Sequence, residues 1–298
     1  MRLIKNPYKI FSALSKKGVF NHLSDEKFIK YQFRAQLDRW PDLIEPQTMN
    51  EKLQWLKLNN RRPEYTMMVD KYLVRDFIKE KIGEEYLVPL LGIWDSPEDI
   101  DFDTLPDRFV LKCNHNSGLG MCICRDKSKL DYAKVRKELA KGLAQDYYLS
   151  GREWPYKNVP RKIIAEQYME DEATKELRDY KFYCFNGVPK LIMINSGRGT
   201  GKTTADYYDM ERNYLDFTWG YPHSNNEHIM PENFELMKQL AAVLSADIPH
   251  VRVDFYEANG KVYFGELTFF DGSGFDIIAP RSWDIQIGSW LTLPDINR

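Results

Sequence analysis

The sequence predicts an α+β fold in which antiparallel sheets carry packed helices, and three observations predict it. Hairpin patterns recur at 109–124, 179–195 and 250–268, each of them two strand-like runs joined by a short turn. Segments of helical period lie between them, and nowhere do strand and helix signals alternate as the repeated βαβ units of a parallel sheet require. With 298 residues, 43% of them hydrophobic and 14% aromatic, the chain is long enough for two or three lobes with cores of their own.

Residues 1–65 read as a helical N-terminal extension. Ser24 caps a helix carrying Phe28, Ile29, Tyr31, Gln32 and Phe33, and Thr48 to Glu51 has the spacing of a capping box ahead of Leu53, Trp55 and Leu56. Neither segment shows chemistry. Residues 66–108 form an N-terminal lobe that leads into the first hairpin. There Asp70 is placed to cap a helix running through Val74, Phe77, Ile78 and Ile82 to Gly83, which puts Lys71 in its first turn. A cation at that end opposes the helix dipole, so Lys71 either reaches into solvent or answers an anion. Glu98 to Asp103 contains two overlapping DxD patterns of the kind that hold metal in many nucleotide-sugar glycosyltransferases. Without βαβ units around it, this run reads better as an acidic surface loop.

Residues 109–169 form a small lobe and hold the most informative stretch, Phe109 to Gly120. Alternation puts Phe109, Leu111 and Cys113 on one face of a strand and Lys112 on the other. The strand runs into the loop HNSGLG and returns through Met121 to Cys124, a hairpin with a glycine-containing tip. Backbone N–H groups around Gly118, side chains of His115 and Ser117, and the charge of Lys112 make a clamp for a phosphate chain; the bland alternative is a hairpin with a solvated lysine. Asp131 to Tyr148 reads as one amphipathic helix with Val135, Leu139, Leu143 and Tyr147 on its stripe. A near-continuously apolar strand follows, Lys162 to Glu170, and its polar end at a lobe boundary suits a hinge that pairs with the edge of a planar base.

Residues 170–298 form a large lobe. Asp179 to Asn195 is a hairpin turning at Asn186-Gly187, with Lys181, Tyr183 and Phe185 on one face. The nearby SGRGTGKTT fails as a Walker A motif, because Ser196 stands where its first glycine belongs and no helix-forming run follows; Gly197 to Thr204 reads as a mobile basic loop. Pro231 opens a helix bearing Phe234, Met237, Leu240, Ala241 and Leu244. His250 to Thr268 is a second hairpin, turning at Asn259-Gly260. Its carboxylates Asp254 and Glu266 are oxygen donors of the type Mg²⁺ requires. Register decides whether they can share an ion. A two-residue turn would put them on opposite faces, whereas a three-residue loop pairing Glu257 with Lys261 sets Arg252 opposite Glu266 and Asp254 diagonal to it. The three-residue loop is the expectation, with Val253, Phe255, Tyr263 and Leu267 on the buried face.

Composition narrows the function. Net charge is −2 with residues of both signs interspersed, which leaves no broad basic footprint for nucleic acid. No apolar run approaches the ~18 residues of a membrane span, so the expectation is a cytoplasmic protein, in peripheral membrane contact if its acceptor is lipid-linked. The four cysteines, Cys113, Cys122, Cys124 and Cys184, lack CxxC spacing and read as reduced thiols in apolar segments.

Taken together, DK at 70–71, FVLKCNHNSG, IIAEQYME, DYKFYCFNG and RVDFY with YFGELT stand in the order expected of an ATP-grasp enzyme. Over roughly residues 20–290 the chain resembles the TupA-like ATP-grasp family of polysaccharide biosynthesis clusters, whose members are often labelled glycosyltransferases. The resemblance implies two α+β lobes enclosing ATP. It implies Lys71, Lys112 and Lys181 on the phosphates with Ser117 and Gly118 in the phosphate loop, and Glu166, Gln167, Tyr168 and Met169 around adenine with Glu170 on the ribose. It implies Mg²⁺ on Asp254 and Glu266, with Thr268 where the family has asparagine, and Arg252 steadying charge at the acyl centre. The implied activity is an ATP-dependent carboxylate–amine ligase joining a uronic-acid sugar to an amino acid, with a glycosyltransferase as the alternative. Gly272, Ser273 and Gly274 would offer backbone N–H groups to an anionic acceptor, and Tyr207, Tyr208, Trp219 and Tyr221 could stack on sugar faces or merely pack a strand edge.

Overall fold

The structure, a computed structural model, describes residues 7–197, 203–224 and 229–295. Two helices, α1 (Tyr8–Ser15) and α2 (Asp25–Leu37), precede α3 (Met49–Asn59), which begins with the expected capping box between Thr48 and Glu51. Next come α4 (Glu64–Val69), α5 (Val74–Lys81) and strand β1 (Leu90–Trp94). The first hairpin is β2 (Phe109–Cys113) with β3 (Cys122–Cys124), followed by α6 (Tyr132–Ala144), the single turn α7 (Tyr148–Gly151) and β4 (Ile163–Gln167). These strands form an antiparallel sheet in the order β1-β4-β2-β3, so its edge comes from residues 90–94. Its core is small: Phe109, Leu111, Cys124, Ile163 and Ala165 pack on Val135 and Leu139 of α6.

The second sheet is larger and also antiparallel. It runs β11-β10-β5-β6-β7-β8, built from β5 (Arg178–Phe185), β6 (Val188–Ser196), β7 (Thr204–Asp209), β8 (Tyr214–Leu215), β10 (His250–Ala258) and β11 (Lys261–Thr268). Helix α8 (Phe234–Leu244) packs on this sheet, and α9 (Arg281–Ser289) packs on α3 beside the short pair β9 (Thr218–Trp219) and β12 (Ile278–Ala279). The α+β reading with antiparallel sheets is therefore correct. All four cysteines are free thiols; burial pushes Cys113 up to about 11 and Cys184 up to about 12, which leaves them unreactive at neutral pH. The loop expected at 197–204 lies mostly outside the described residues.

Two helix expectations are corrected. Asp70 does not cap a helix bearing Lys71. It ends α4, and its carboxylate accepts the N–H groups of Tyr72 and Leu73 (2.8 and 3.2 Å) and the Asn114 amide (2.9 Å), so the chain turns before α5 starts at Val74. Similarly, the helix expected from Asp131 to Tyr148 stops at Ala144. The His115 ring engages the Gln145 carbonyl at 3.1 Å, and Tyr147 is released from the stripe to the site described next.

Candidate active site

On the small sheet the alternation holds: Phe109, Leu111 and Cys113 are buried while Lys112 faces out. Its ammonium lies 2.6 Å from Glu166 of β4, whose other oxygen is 3.8 Å from Arg75 of α5. Glu166 is thus bound to cations rather than open to a base. Lys71, in the turn between α4 and α5, donates to the Asn116 carbonyl at 2.6 Å, which ties it to the glycine loop. Burial lowers its pKa, with Glu266 opposing and Lys112 adding to that depression. Lys71 thereby feels the charges of both sheets at once.

The loop itself divides in two. His115 and Asn116 are buried, so His115 is not the exposed donor its position suggested. Ser117 lines a cavity, and Gly118, at φ +84°, has nothing within 4 Å of where a side chain would begin. Gly120 is a packing glycine, since a Cβ there would stand 2.8 Å from Gly142 of α6. At the far end of the small sheet the Gln167 N–H bonds the Pro89 carbonyl at 3.0 Å. Tyr168 and Met169 make no backbone hydrogen bond among the described residues. Glu170 is held 2.6 Å from Arg108.

The large sheet supplies the acidic side, by a register that corrects the expectation. The turn between β10 and β11 has two residues, Asn259 and Gly260, both at positive φ, and Ala258 pairs with Lys261. On its own this turn would separate the carboxylates. A β-bulge restores them: Phe255 pairs with Phe264, then Asp254 pairs with Glu266, and Gly265 is left over. A Cβ on Gly265 would lie 3.1 Å from the Asp254 carbonyl, so this glycine serves strand approach rather than ligand clearance. Asp254 therefore sits directly opposite Glu266, and Arg252 opposite Thr268. The bulge also changes which side chains turn inward: Val262 and Phe264 join Val253, Phe255 and Leu267 in the core, and Tyr263 does not.

Arg252 is the hub of this side. It grips both oxygens of Asp254 (2.7 and 2.8 Å), donates to Glu266 at 3.1 Å and pairs with Asp271. Lys181 of β5 lies 2.5 Å from Asp254 and also pairs with Asp179. Burial alone would raise the Asp254 carboxyl, but Arg252 and Lys181 hold it below the usual carboxylate range. Both oxygens of Asp254 are thus engaged. Glu266 differs: its side chain is 37% exposed, and beyond Arg252 it accepts, among the described residues, only from the Thr268 hydroxyl, at 3.3 Å.

Of these groups Arg252, Glu266 and Thr268 line a cavity of about 230 Å³, with Asn116 and Ser117 from the loop after β2 and residues 270–273; Lys71, Lys112, Lys181 and Asp254 are not among its lining residues. The cavity is completed by Tyr147, which the sequence placed on a packing stripe, and by Glu153 and Tyr156, which carried no sequence signal because they lie in the irregular stretch around α7. Asp271 was also missed, although it directly precedes the GSG run. Burial raises the Glu153 carboxyl, and its nearest link is the Ser273 hydroxyl at 2.5 Å.

Residues 271–274 form a tight turn with Gly272, Ser273 and Gly274 all at positive φ. The Ser273 N–H is taken by the Phe270 carbonyl at 2.8 Å. Helix α3, which showed no chemistry in the sequence, holds this turn with a buried polar stripe. Asn50 binds the carbonyls of Gly274 and Asp276 (3.0 and 2.9 Å), Gln54 that of Gly274 (2.8 Å), and Lys57 those of Gly151 and Ser273 (2.7 and 2.6 Å). Burial pushes the Lys57 ammonium down to about 7.

Other expectations fall away from the site. Tyr207 and Trp219 are core residues and present no face to a sugar; Tyr221 is exposed. The DxD aspartates lie in two short surface turns, Pro97–Asp99 capped by Ser96 and Phe102–Thr104 capped by Asp101, which accepts from the Asp103 N–H at 3.0 Å. No group of three or more His, Cys, Asp or Glu side chains able to hold a metal ion occurs among the described residues. No helix among them is long and apolar enough to cross a membrane.

The profile of the TupA-like ATPgrasp family matches residues 51–292. Solved structures similar to the chain include a D-alanine–D-alanine ligase from Bacillus anthracis complexed with ATP, at 17% identity and TM-score 0.42, covering 68% of this chain and 55% of that one. The D-alanine–D-alanine ligase from Helicobacter pylori has 14% identity and TM-score 0.43, covering 82% and 69%. D-cycloserine synthetase has 12% identity and TM-score 0.44, covering 76% and 70%. The chain thus spans little more than half of the first of these proteins. No curated protein matches it.

Proposed function

Since the chain belongs to the TupA-like ATP-grasp family, we propose that it is an ADP-forming carboxylate–amine ligase, acting in the cytoplasm on a uronic-acid sugar and an amino acid for a surface polysaccharide. The observation that carries this reading is that Lys71, tied to the open glycine loop through the Asn116 carbonyl, feels both Lys112 of the small sheet and Glu266, the carboxylate that Arg252 holds on the large one. An unactivated carboxylate is a poor electrophile, and phosphoryl transfer is mostly positioning plus charge neutralisation, which is what such a cluster supplies.

In this reading ATP lies between the sheets. Ser117 and the N–H groups beside Gly118 cradle its phosphates, Lys71 and Lys112 neutralise them, and the backbone of Tyr168 and Met169 meets adenine. Lys181, fixed on Asp179 and Asp254, reinforces the positive side from behind. The donor set fits Mg²⁺: Glu266 has an oxygen without a partner among the described residues and Thr268 a hydroxyl, enough for an ion that takes one or two carboxylates and completes its shell with phosphate and water. When bound, Mg²⁺ spreads the charge of the transferring phosphoryl group. The Glu266 and Thr268 side chains would hold it, with Asp254 behind them.

The uronate carboxylate attacks the γ-phosphorus and ADP leaves. The amino group then attacks the acyl carbon, phosphate leaves with its bridging oxygen, and the nitrogen loses a proton. Arg252 steadies the oxygen that gains charge at the acyl centre, and the 271–274 turn borders the acceptor. The test is incubation with ATP, Mg²⁺, a UDP-linked uronate and mixed amino acids, followed by mass spectrometry. Amide formation with equimolar ADP and phosphate supports the ligase. Sugar transfer without ADP would make the protein a glycosyltransferase.

A further inference from the structure

A second cavity lies beyond the 271–274 turn. It is an open cleft of about 470 Å³, twice the catalytic cavity, and its wall includes Gln36, Thr218, Tyr221, Asp276 and Ile277. Asp276 sets its chemistry. Among the described residues the carboxylate has no hydrogen bond and no ion pair, and the charged group that acts on it, Asp271, is also acidic; burial and Asp271 push its pKa up to about 6. It stands in a slot that only glycine permits. A Cβ on Gly220 (φ +73°) would lie 2.6 Å from its Oδ2, and one on Gly272 (φ +52°) 2.2 Å from the same atom. A partly buried, unpartnered carboxylate is costly, so one held clear by two glycines at positive φ is poised for a donor that arrives from outside.

The surroundings select that donor. Tyr221 and Ile277 expose apolar surface at the rim, 44% and 56% respectively. A carboxylate only accepts hydrogen bonds, so the fitting ligand presents several O–H donors together with an apolar C–H face for the ring of Tyr221. We propose that this cleft is a sugar-binding subsite in which Asp276 accepts hydroxyls of the glycan unit next to the reacting uronate. Gly272 lines the catalytic cavity and also abuts Asp276, so one bound glycan would cross the turn from one cavity to the other. The inference rests on the ligase reading only for the identity of the reacting unit.

The experiment is a calorimetric titration, without ATP, of a uronate-terminated disaccharide, the matching uronate monosaccharide and ethanolamine as an ammonium probe, into the wild-type chain and the Asp276→Ala and Tyr221→Ala variants. The expected result is that the wild type binds the disaccharide at least about tenfold more tightly than the monosaccharide and that either variant abolishes this difference. Nucleotide binding, followed by thermal shift, stays unchanged in both variants. Equal wild-type affinity for the two sugars, a preference for ethanolamine, or an advantage that survives both substitutions would overturn the proposal. If Asp276→Ala fails to fold, Tyr221→Ala decides alone. Disaccharide binding that depends on these residues in a protein that forms no ADP would leave the subsite standing and remove the ligase.

Discussion

The two hairpins that meet at the site hold their charges in opposite ways. Beside β2–β3 the cations are lightly held: among the described residues Lys112 of β2 has one carboxylate within 4 Å and Lys71, from the turn before α5, donates to one carbonyl, and both are only partly buried. On β10–β11 the charges form a buried network in which Arg252 serves Asp254, Glu266 and Asp271 while Lys181 doubles the hold on Asp254. Cations that must let go of one partner to take up a phosphate belong to the first kind, and groups that must keep their geometry as charge develops belong to the second. In the proposed ligase the small-sheet cations would exchange their partners for phosphate while the large-sheet network keeps its own.

That contrast can be broken most severely at Arg252. Replacing it with methionine leaves three acids without their shared cation, so we expect a stability loss of about 3–5 kcal/mol in urea unfolding together with loss of activity. Lys112→Met sharpens the comparison from the other side. Ligase turnover should fall about a hundred- to thousandfold while the melting temperature stays within a few degrees, because this charge lies outside the core. If Lys112→Met unfolds the protein, or Arg252→Met leaves its stability untouched, the division is wrong. Gly265→Val attacks the register that aligns Asp254 with Glu266. The cost is about 1–3 kcal/mol, and activity should fall more than stability alone explains. The smallest effect has the opposite sign. The folded pKa of Asp276, about 6, lies above its ordinary 3.8, so its ionisation disfavours the folded state. The stability it leaves intact below pH 3.8 is lost as pH rises through 6. Asp276→Asn should therefore stabilise the fold at pH 7.5 by about 1 kcal/mol, since the amide also lacks a partner, seen as a higher melting temperature, and change little at pH 3.5.

How much of this was legible beforehand follows the same physics. Lys112, the hairpins and the capping box at Thr48 were readable because each depends on residues adjacent in sequence or on a fixed period. That Asp254 and Glu266 share a face was reached by the wrong route, with Arg252 rather than Asp254 expected opposite Glu266: a lone glycine in mid-strand does not say whether it is a bulge, and the bulge reversed the parity set by the turn. Lys71 was visible as a cation, but Asn114, one of the partners that hold Asp70 where its helix breaks, comes from 44 residues away. The stripe Asn50, Gln54 and Lys57 has helical spacing and could have been found; it was passed over because polar residues on a helix ordinarily face water. Glu153 and Tyr156 lie in an irregular stretch where no pattern marks a role.

The most direct test of the central claim follows the oxygen. With a uronate carrying ¹⁸O in its carboxylate, together with ATP, Mg²⁺ and the amine, activation through an acyl phosphate moves one carboxylate oxygen to the phosphate that is released. The account predicts one ¹⁸O per phosphate formed, with no labelled phosphate from Lys112→Met above the residual turnover. Amide product accompanied by unlabelled phosphate would contradict it.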